Sequence, residues 1–196
     1  MGVVAARVFL HPILFIVAVV SKSIIHQIQA QKVDWSETVP YEEQFRNKVT
    51  RLHFYFHDRV SGKNPTAIPI AQASTTNQSS TMFGTLRMID DPLTEGSDPS
   101  SKVVGRAQGL YGFSGQDQLS LIAVVSYVFT DEKLKNGSSL SLLSHNPILN
   151  PVRELAVVGG TGSFRFASGF AQIKTLFFNL TSGDAIVEYY VTVVHY

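Results

Sequence analysis

Six charged side chains stand where hydrophobic runs end and could do acid–base work: Asp58, Asp90, Asp91, Arg106, Arg153 and Glu154. A carboxylic acid enclosed by apolar groups resists ionisation and can deliver a proton to a reacting oxygen near neutral pH. Asp58 closes "RLHFYFHD" (51–58), just after Phe54 and Phe56, and is the first candidate for such an acid. Familiar catalytic signatures are missing. There is no G-x-S-x-G, no H-E-x-x-H and no Walker loop, and "VVGGTG" (157–162) lacks both the glycine spacing and the following helix of a dinucleotide-binding turn. It reads as the turn that ends a strand. His53 and His57 are four apart, which on a strand leaves them about 13 Å from one another, too far to share a zinc ion. With no cysteine, disulfide frameworks and thiolate metal sites are excluded, and neither a metal nor an organic cofactor is expected.

The elements that must hold these groups are strands. In "RLHFYFHD", Leu52, Phe54 and Phe56 alternate with His53, Tyr55 and His57, the period of a strand with an aromatic interior. Turn signals recur at "SGKNP" (61–65), "TTNQSS" (75–80), "SGQDQ" (114–118), "DEKLKNGSS" (131–139), "SHNP" (144–147) and "TSGD" (181–184), and the acid- and proline-rich stretch starting at Asp90 reads as a further loop. No long segment shows a 3.6-residue period. Roughly eight short strands predict an all-β, antiparallel architecture, and closure into an eight-stranded barrel would remove the edges that 119–130 and 185–195 would otherwise expose. A barrel of that size either fills its interior or holds one small ligand. In "VGRAQGLYGF" (104–113), Gly105, Ala107, Gly109, Tyr111 and Phe113 share one face. The small residues could leave space that the aromatics wall, or the glycines could mark bends that curl the sheet.

Residues 1–30 have signal-peptide anatomy: a lone Arg7, an apolar run uninterrupted from Ile13 to Val20, and a polar end "IHQIQA". The run is shorter than the roughly 18 residues of a membrane span, so cleavage near Ala30, secretion, and no membrane attachment of the mature chain are expected. Residues 31–50 are polar and aperiodic and read as a flexible lead-in to a domain at 51–196. Sequons at Asn77, Asn136 and Asn179 are candidate glycosylation sites. Sixteen basic against 15 acidic residues, with no basic run, argue against a nucleic-acid partner. A secreted domain without disulfides draws its stability from its own core or from further copies of itself, so a homo-oligomer is expected.

The motifs "FYFHD", "NPTAI", "MIDDPLTEGSDPSSKVVGRAQGLYG", "VRELAVVGGTGSFRFASGFA" and "GDAIVEY" follow one another in an order and spacing that resembles the plant dirigent proteins, across nearly all of 52–195. The resemblance implies an eight-stranded antiparallel barrel, assembled as a trimer or dimer and secreted to the plant cell wall, the apoplast. It implies a pocket that takes phenolic radicals or quinone methides and fixes the stereochemistry of their coupling or ring closure. The pocket aspartate of the lignan-forming members matches Asp58 and their pocket arginine matches Arg153. Their paired tyrosines match Tyr111 and, changed, Phe113; their second aspartate matches Asn146, and the cysteines they often bridge are absent. These departures place the chain nearer the dirigent-like group that includes proteins similar to pterocarpan synthase.

On this reading Asp58 is the acid, Arg153 holds a phenolate or orients an acid and Tyr111 donates a hydrogen bond, while Phe56, Phe113, Asn146 and Asp91 complete the substrate pocket. Stereoselective phenoxy-radical coupling of the lignan type is the expected function, with a separate laccase or peroxidase as oxidant. The alternatives are closure of an isoflavanol ring through a quinone methide with loss of water, and a lipocalin-like carrier with no catalysis.

Overall fold

The computed structural model describes residues 47–134 and 136–196. The expected signal peptide and residues 31–46 of the lead-in lie outside them. Nine strands follow one another: β1 (Lys48–Asp58), β2 (Ala67–Gln72), β3 (Thr85–Thr94), β4 (Val103–Phe113), β5 (Leu121–Phe129), β6 (Ser139–Asn146), β7 (Arg153–Thr161), β8 (Ser168–Phe178) and β9 (Ala185–His195). Every pairing is antiparallel. The order β1-β9-β8-β7-β6-β5-β4-β3 closes into an eight-stranded ring through a β1–β3 contact, and the short β2 lies on β3 as a ninth strand. Among the described residues the helical turns are three one-turn 3-10 segments, Thr76–Gln78, Glu132–Leu134 and Gly162–Phe164.

Closure satisfies the edges that β5 and β9 would otherwise expose, and it is made by β3 changing partners along its length. β2 covers β3 from Thr85 to Ile89, and β1 covers it at Leu93 and Thr94. Asp90, Asp91 and Pro92, read above as loop, lie in β3 between those two ladders. The Asp90 amide donates to the Thr66 carbonyl at 2.9 Å. Alternation then turns the Pro92 nitrogen to the same side, where the ladder to β1 has not yet begun and no hydrogen bond is lost.

Two further boundaries differ from expectation. β1 begins at Lys48 rather than Arg51, because the eleven-residue β9 supplies a full ladder from Lys48↔His195 to Asp58↔Ala185, and the Thr50 hydroxyl bonds His195 at 2.8 Å. β7 runs through Gly159, Gly160 and Thr161, which pair with Ser141, Leu140 and Ser139, and the turn starts at Gly162.

One end of the barrel is plugged by aromatic rings. Phe54 stacks on Tyr189 with centroids 5.3 Å apart, and Tyr127 meets both edge-on at 5.6 and 5.4 Å. Phe129 lies beside Phe54 and packs on Phe164 at 5.6 Å. Offset and edge-on rings of this kind fill volume at high density and favour one packing, so the free space of the barrel is confined to its other end.

Candidate functional site

That end holds a cavity of about 590 Å³, mid-range for a small-molecule site. An acidic corner is built where β1, β3 and β4 meet. Asp58 is the last residue of β1, on the inward side of the strand with Phe54 and Phe56. The Tyr111 hydroxyl donates to its Oδ2 at 3.0 Å, while its Oδ1 is buried with no hydrogen-bond partner. Burial pushes the carboxyl up to about 6, against the Tyr111 hydrogen bond and the charge of Arg87, which pull it down. Burial and the neighbouring Asp58 also raise the Tyr111 phenol, so it stays a neutral donor. Arg87 is the cross-strand partner of Tyr111 and lines the same corner, its Nε buried and unpartnered.

Across the cavity stands Arg153, the first residue of β7 and 4 % exposed. Its Nη1 donates to the Ile148 carbonyl at 2.8 Å and to the Thr175 hydroxyl at 2.9 Å, and its Nε has no partner. Burial lowers its affinity for the proton, though a guanidinium stays charged. Asn146 ends β6 on the adjacent strand and lines the cavity, its Oδ1 buried without a partner. Tyr189, whose phenol burial pushes up to about 12, contributes to the floor, and Phe113 packs on Tyr111 at 6.1 Å. Met82, Leu149 and Leu180 reach the cavity from three loops and are exposed, Leu180 to 90 %.

The fold thus gathers Asp58, Tyr111, Arg153, Phe56, Phe113 and Asn146 around one cavity. Asp91 is the exception. It is fully buried but does not line the cavity, because the β3 register sets it at the seam between β1 and β2. There the Thr66 hydroxyl donates to Oδ1, and Oδ2 has no partner. Burial, with the charge of Asp58, pushes the Asp91 carboxyl up to about 8. Asp90 and Arg106 form a surface ion pair at 2.5 Å, and Glu154 is exposed on the outer side of β7.

Gly105 and Gly109 do not line the cavity either. A Cβ at these positions would come within 2.5 Å of the Val128 carbonyl oxygen and 2.2 Å of that of Val124, so the glycines admit the β5 backbone and curl the sheet. The small side chains that do line it include Ala123 on β5 and Ala185 on β9. Arg87 and Thr175 were missed. Arg87 shares its parity with Ile89, Asp91 and Leu93 on β3, which was the available signal once 90–94 is taken as strand.

Among the described residues no group of three His, Cys, Asp or Glu side chains could hold a metal ion. Asn77 and Asn136 are exposed, whereas Asn179 uses Oδ1 to accept from the amides of Thr181 and Ser182 at 2.9 and 3.1 Å.

A family model described as dirigent-like protein matches residues 49–194, the whole barrel. The chain belongs to the dirigent family. It is 51 % identical over 154 residues to Dirigent protein 23 of Arabidopsis thaliana, covering 79 % of this chain and 82 % of that one. It is 49 % identical over 150 residues to Pterocarpan synthase 1 of Glycyrrhiza echinata, covering 76 % and 79 %. The solved structure of a pterocarpan synthase dirigent protein superposes with a TM-score of 0.76 at 46 % identity, over 83 % of this chain and 99 % of the other. In this dirigent barrel the ring closes through the split pairing of β3, and the acid corner lies at that closure.

Proposed function

We propose that this dirigent protein binds an isoflavanol and closes its ring stereoselectively through a quinone methide, with loss of water and no oxidant. One observation carries the reading: a carboxyl that keeps its proton to about pH 6, hydrogen-bonded by Tyr111 and lining a largely apolar cavity. Similarity to pterocarpan synthases supports it.

In this mechanism Asp58 gives its proton to the leaving hydroxyl, the C–O bond breaks and water departs. The phenol conjugated with that carbon loses its proton, and its oxygen, now the quinone-methide carbonyl, is held by Arg153. A phenolic hydroxyl on the neighbouring ring then adds to the methide carbon from the one face that the cavity walls leave open. Its proton returns to Asp58, and the carbonyl oxygen regains its own proton as the ring becomes aromatic. Orientation supplies the selectivity and the acid supplies much of the rate.

A second reading is stereocontrol of phenoxy-radical coupling, with a laccase or peroxidase as the radical source. The cavity has room for two phenylpropanoid units, and Dirigent protein 23 is as similar to the chain as the synthases are. Secretion to the apoplast, glycosylation and assembly into a homo-oligomer belong to the same proposal.

The test is chiral analysis of two reactions: a racemic 2′-hydroxyisoflavanol without oxidant, and a monolignol with laccase. Ring closure in the first, falling by a factor of about 10² to 10⁴ in Asp58→Asn, is expected. An excess of one hand only in the second would replace the first reading by the second, and binding without product in either would leave a carrier.

A further inference from the structure

The cavity holds two guanidinium groups and one carboxyl, and the two cations face each other across it. Arg153 is on β7 and Arg87 on β3, which stand four strands apart in either direction around the eight-stranded ring. Both Nε atoms are buried without partners, and among the described residues neither guanidinium forms a salt bridge. Arg153 is buried and Arg87 half-buried, and a cation drawn out of water without an ion pair is costly. A ligand with a single phenolic end would engage one of them and strand the other. Arg153 already has two protein acceptors through Nη1, whereas among the described residues the Arg87 guanidinium has no hydrogen-bond acceptor at Nε. It lies across the strand pair from Tyr111, the donor to Asp58, and its charge acts on that carboxyl.

We propose that Arg87 is a substrate-recognition residue that holds a second phenolic oxygen, so that the site selects ligands with a hydroxyl on each of two terminal rings. The proposal rests on the ring-closure reading above and deepens it. With one ring's oxygen on Arg153, the other ring's hydroxyl lies against Arg87 and Asp58, at the corner where it must attack. A guanidinium there stabilises the negative charge that develops on the attacking oxygen while its proton passes to Asp58. Arg87 therefore favours both binding of the second hydroxyl and its reaction.

Calorimetric titration with 7,2′-dihydroxyisoflavan tests this, since that molecule has both hydroxyls and no leaving group. Its 7-methyl and 2′-methyl ethers each cap one end. Arg87→Met should weaken the parent roughly ten- to a hundredfold, the range of a hydrogen bond to a charged group. It should weaken the 7-ether equally and leave the 2′-ether unchanged, and Arg87→Lys should recover part of the loss. On the unmutated protein the 2′-ether should already bind as weakly as the parent binds to Arg87→Met, a comparison that needs no variant to fold. Equal affinity of the unmutated protein for parent and 2′-ether overturns the inference. So does a loss in Arg87→Met that persists with the 2′-ether, which would mark a structural role. In both of these cases the pocket reading stands, whereas failure of the unmutated protein to bind any of the three overturns both.

Discussion

Burial favours the neutral form of Asp91, so its ionisation should cost the folded chain stability, and that makes a prediction with a large signal. An unfolded aspartate loses its proton near pH 3.8, and in the barrel the carboxyl holds it to about 8, chiefly because it is fully buried. Between those values the folded chain binds a proton that the unfolded chain has lost, so raising the pH through the window removes stability. The span is about four pH units at about 1.4 kcal/mol each, or about 6 kcal/mol in all, comparable with the whole stability of a typical domain.

Asp91→Asn removes the titration and keeps the shape. Asn Oδ1 can still accept from Thr66, and the amide nitrogen takes the place of the unpartnered Oδ2. The two proteins should agree within about 1 kcal/mol at pH 4, where both side chains are neutral. The variant should then become the more stable by about 1.4 kcal/mol for each pH unit up to 8. Guanidinium unfolding followed by circular dichroism at pH 4, 5, 6, 7 and 8 measures the gap. Parallel curves would mean that Asp91 is an ordinary ionised carboxylate and would refute the reasoning.

Asp58 keeps its proton to about pH 6, so ring closure should fall as the pH rises through that value; a rate flat from pH 5 to 8 would remove Asp58 as the acid. Gly109→Ala places a Cβ 2.2 Å from the Val124 carbonyl oxygen at a φ of +151°, and should cost about 3 kcal/mol and roughly 10 °C in melting temperature; a shift of about 1 °C or less would show that β4 and β5 do not need this close approach. The outer faces of β2 to β6 carry a continuous apolar row, Ile68, Met88, Leu110, Val124 and Leu143, set side by side by the register. Val124→Lys should shift sedimentation from an oligomer to a monomer, and a monomer in the unmutated protein would refute the assembly. Mass spectrometry of plant-secreted protein should find a chain starting after Ala30 with glycans at the exposed Asn77 and Asn136, and an intact 1–30 segment would refute secretion by cleavage.

The barrel was legible because its strands alternate strictly. Phe54 and Phe56 on β1, and Val187, Tyr189, Val191 and Val193 on β9, all face inward at a period of two. Legibility failed where a local signal was outweighed by a distant one. Asp90-Asp91-Pro92 has turn composition, yet β4 pairs with every one of these residues, and the proline sits where its missing N–H costs nothing. Lys48 to Thr50 carry no apolar period, and only the length of β9, more than 130 residues away in sequence, draws them into a ladder.

The candidate site divides along the same line. Asp58 stands out at the end of an aromatic strand and Tyr111 as an aromatic wall, the resemblance to dirigent proteins supplies their roles, and the fold bonds them to each other. Arg87 could not, because an arginine between Leu86 and Met88 reads as a solvent-facing residue until β3 is known to run on to Thr94. Extending that strand by five residues sets the parity of its whole inner face. Arg87, Ile89, Asp91 and Leu93 then point inward together, and two charged groups enter the barrel on one strand. They separate by depth. Arg87 reaches the open cavity with its charge, whereas Asp91 lies beneath Thr66 where only the neutral acid is favoured. One strand boundary therefore decides both the second cation of the pocket and the buried proton behind it, and the Arg87 and Asp91 experiments test that boundary from two independent sides.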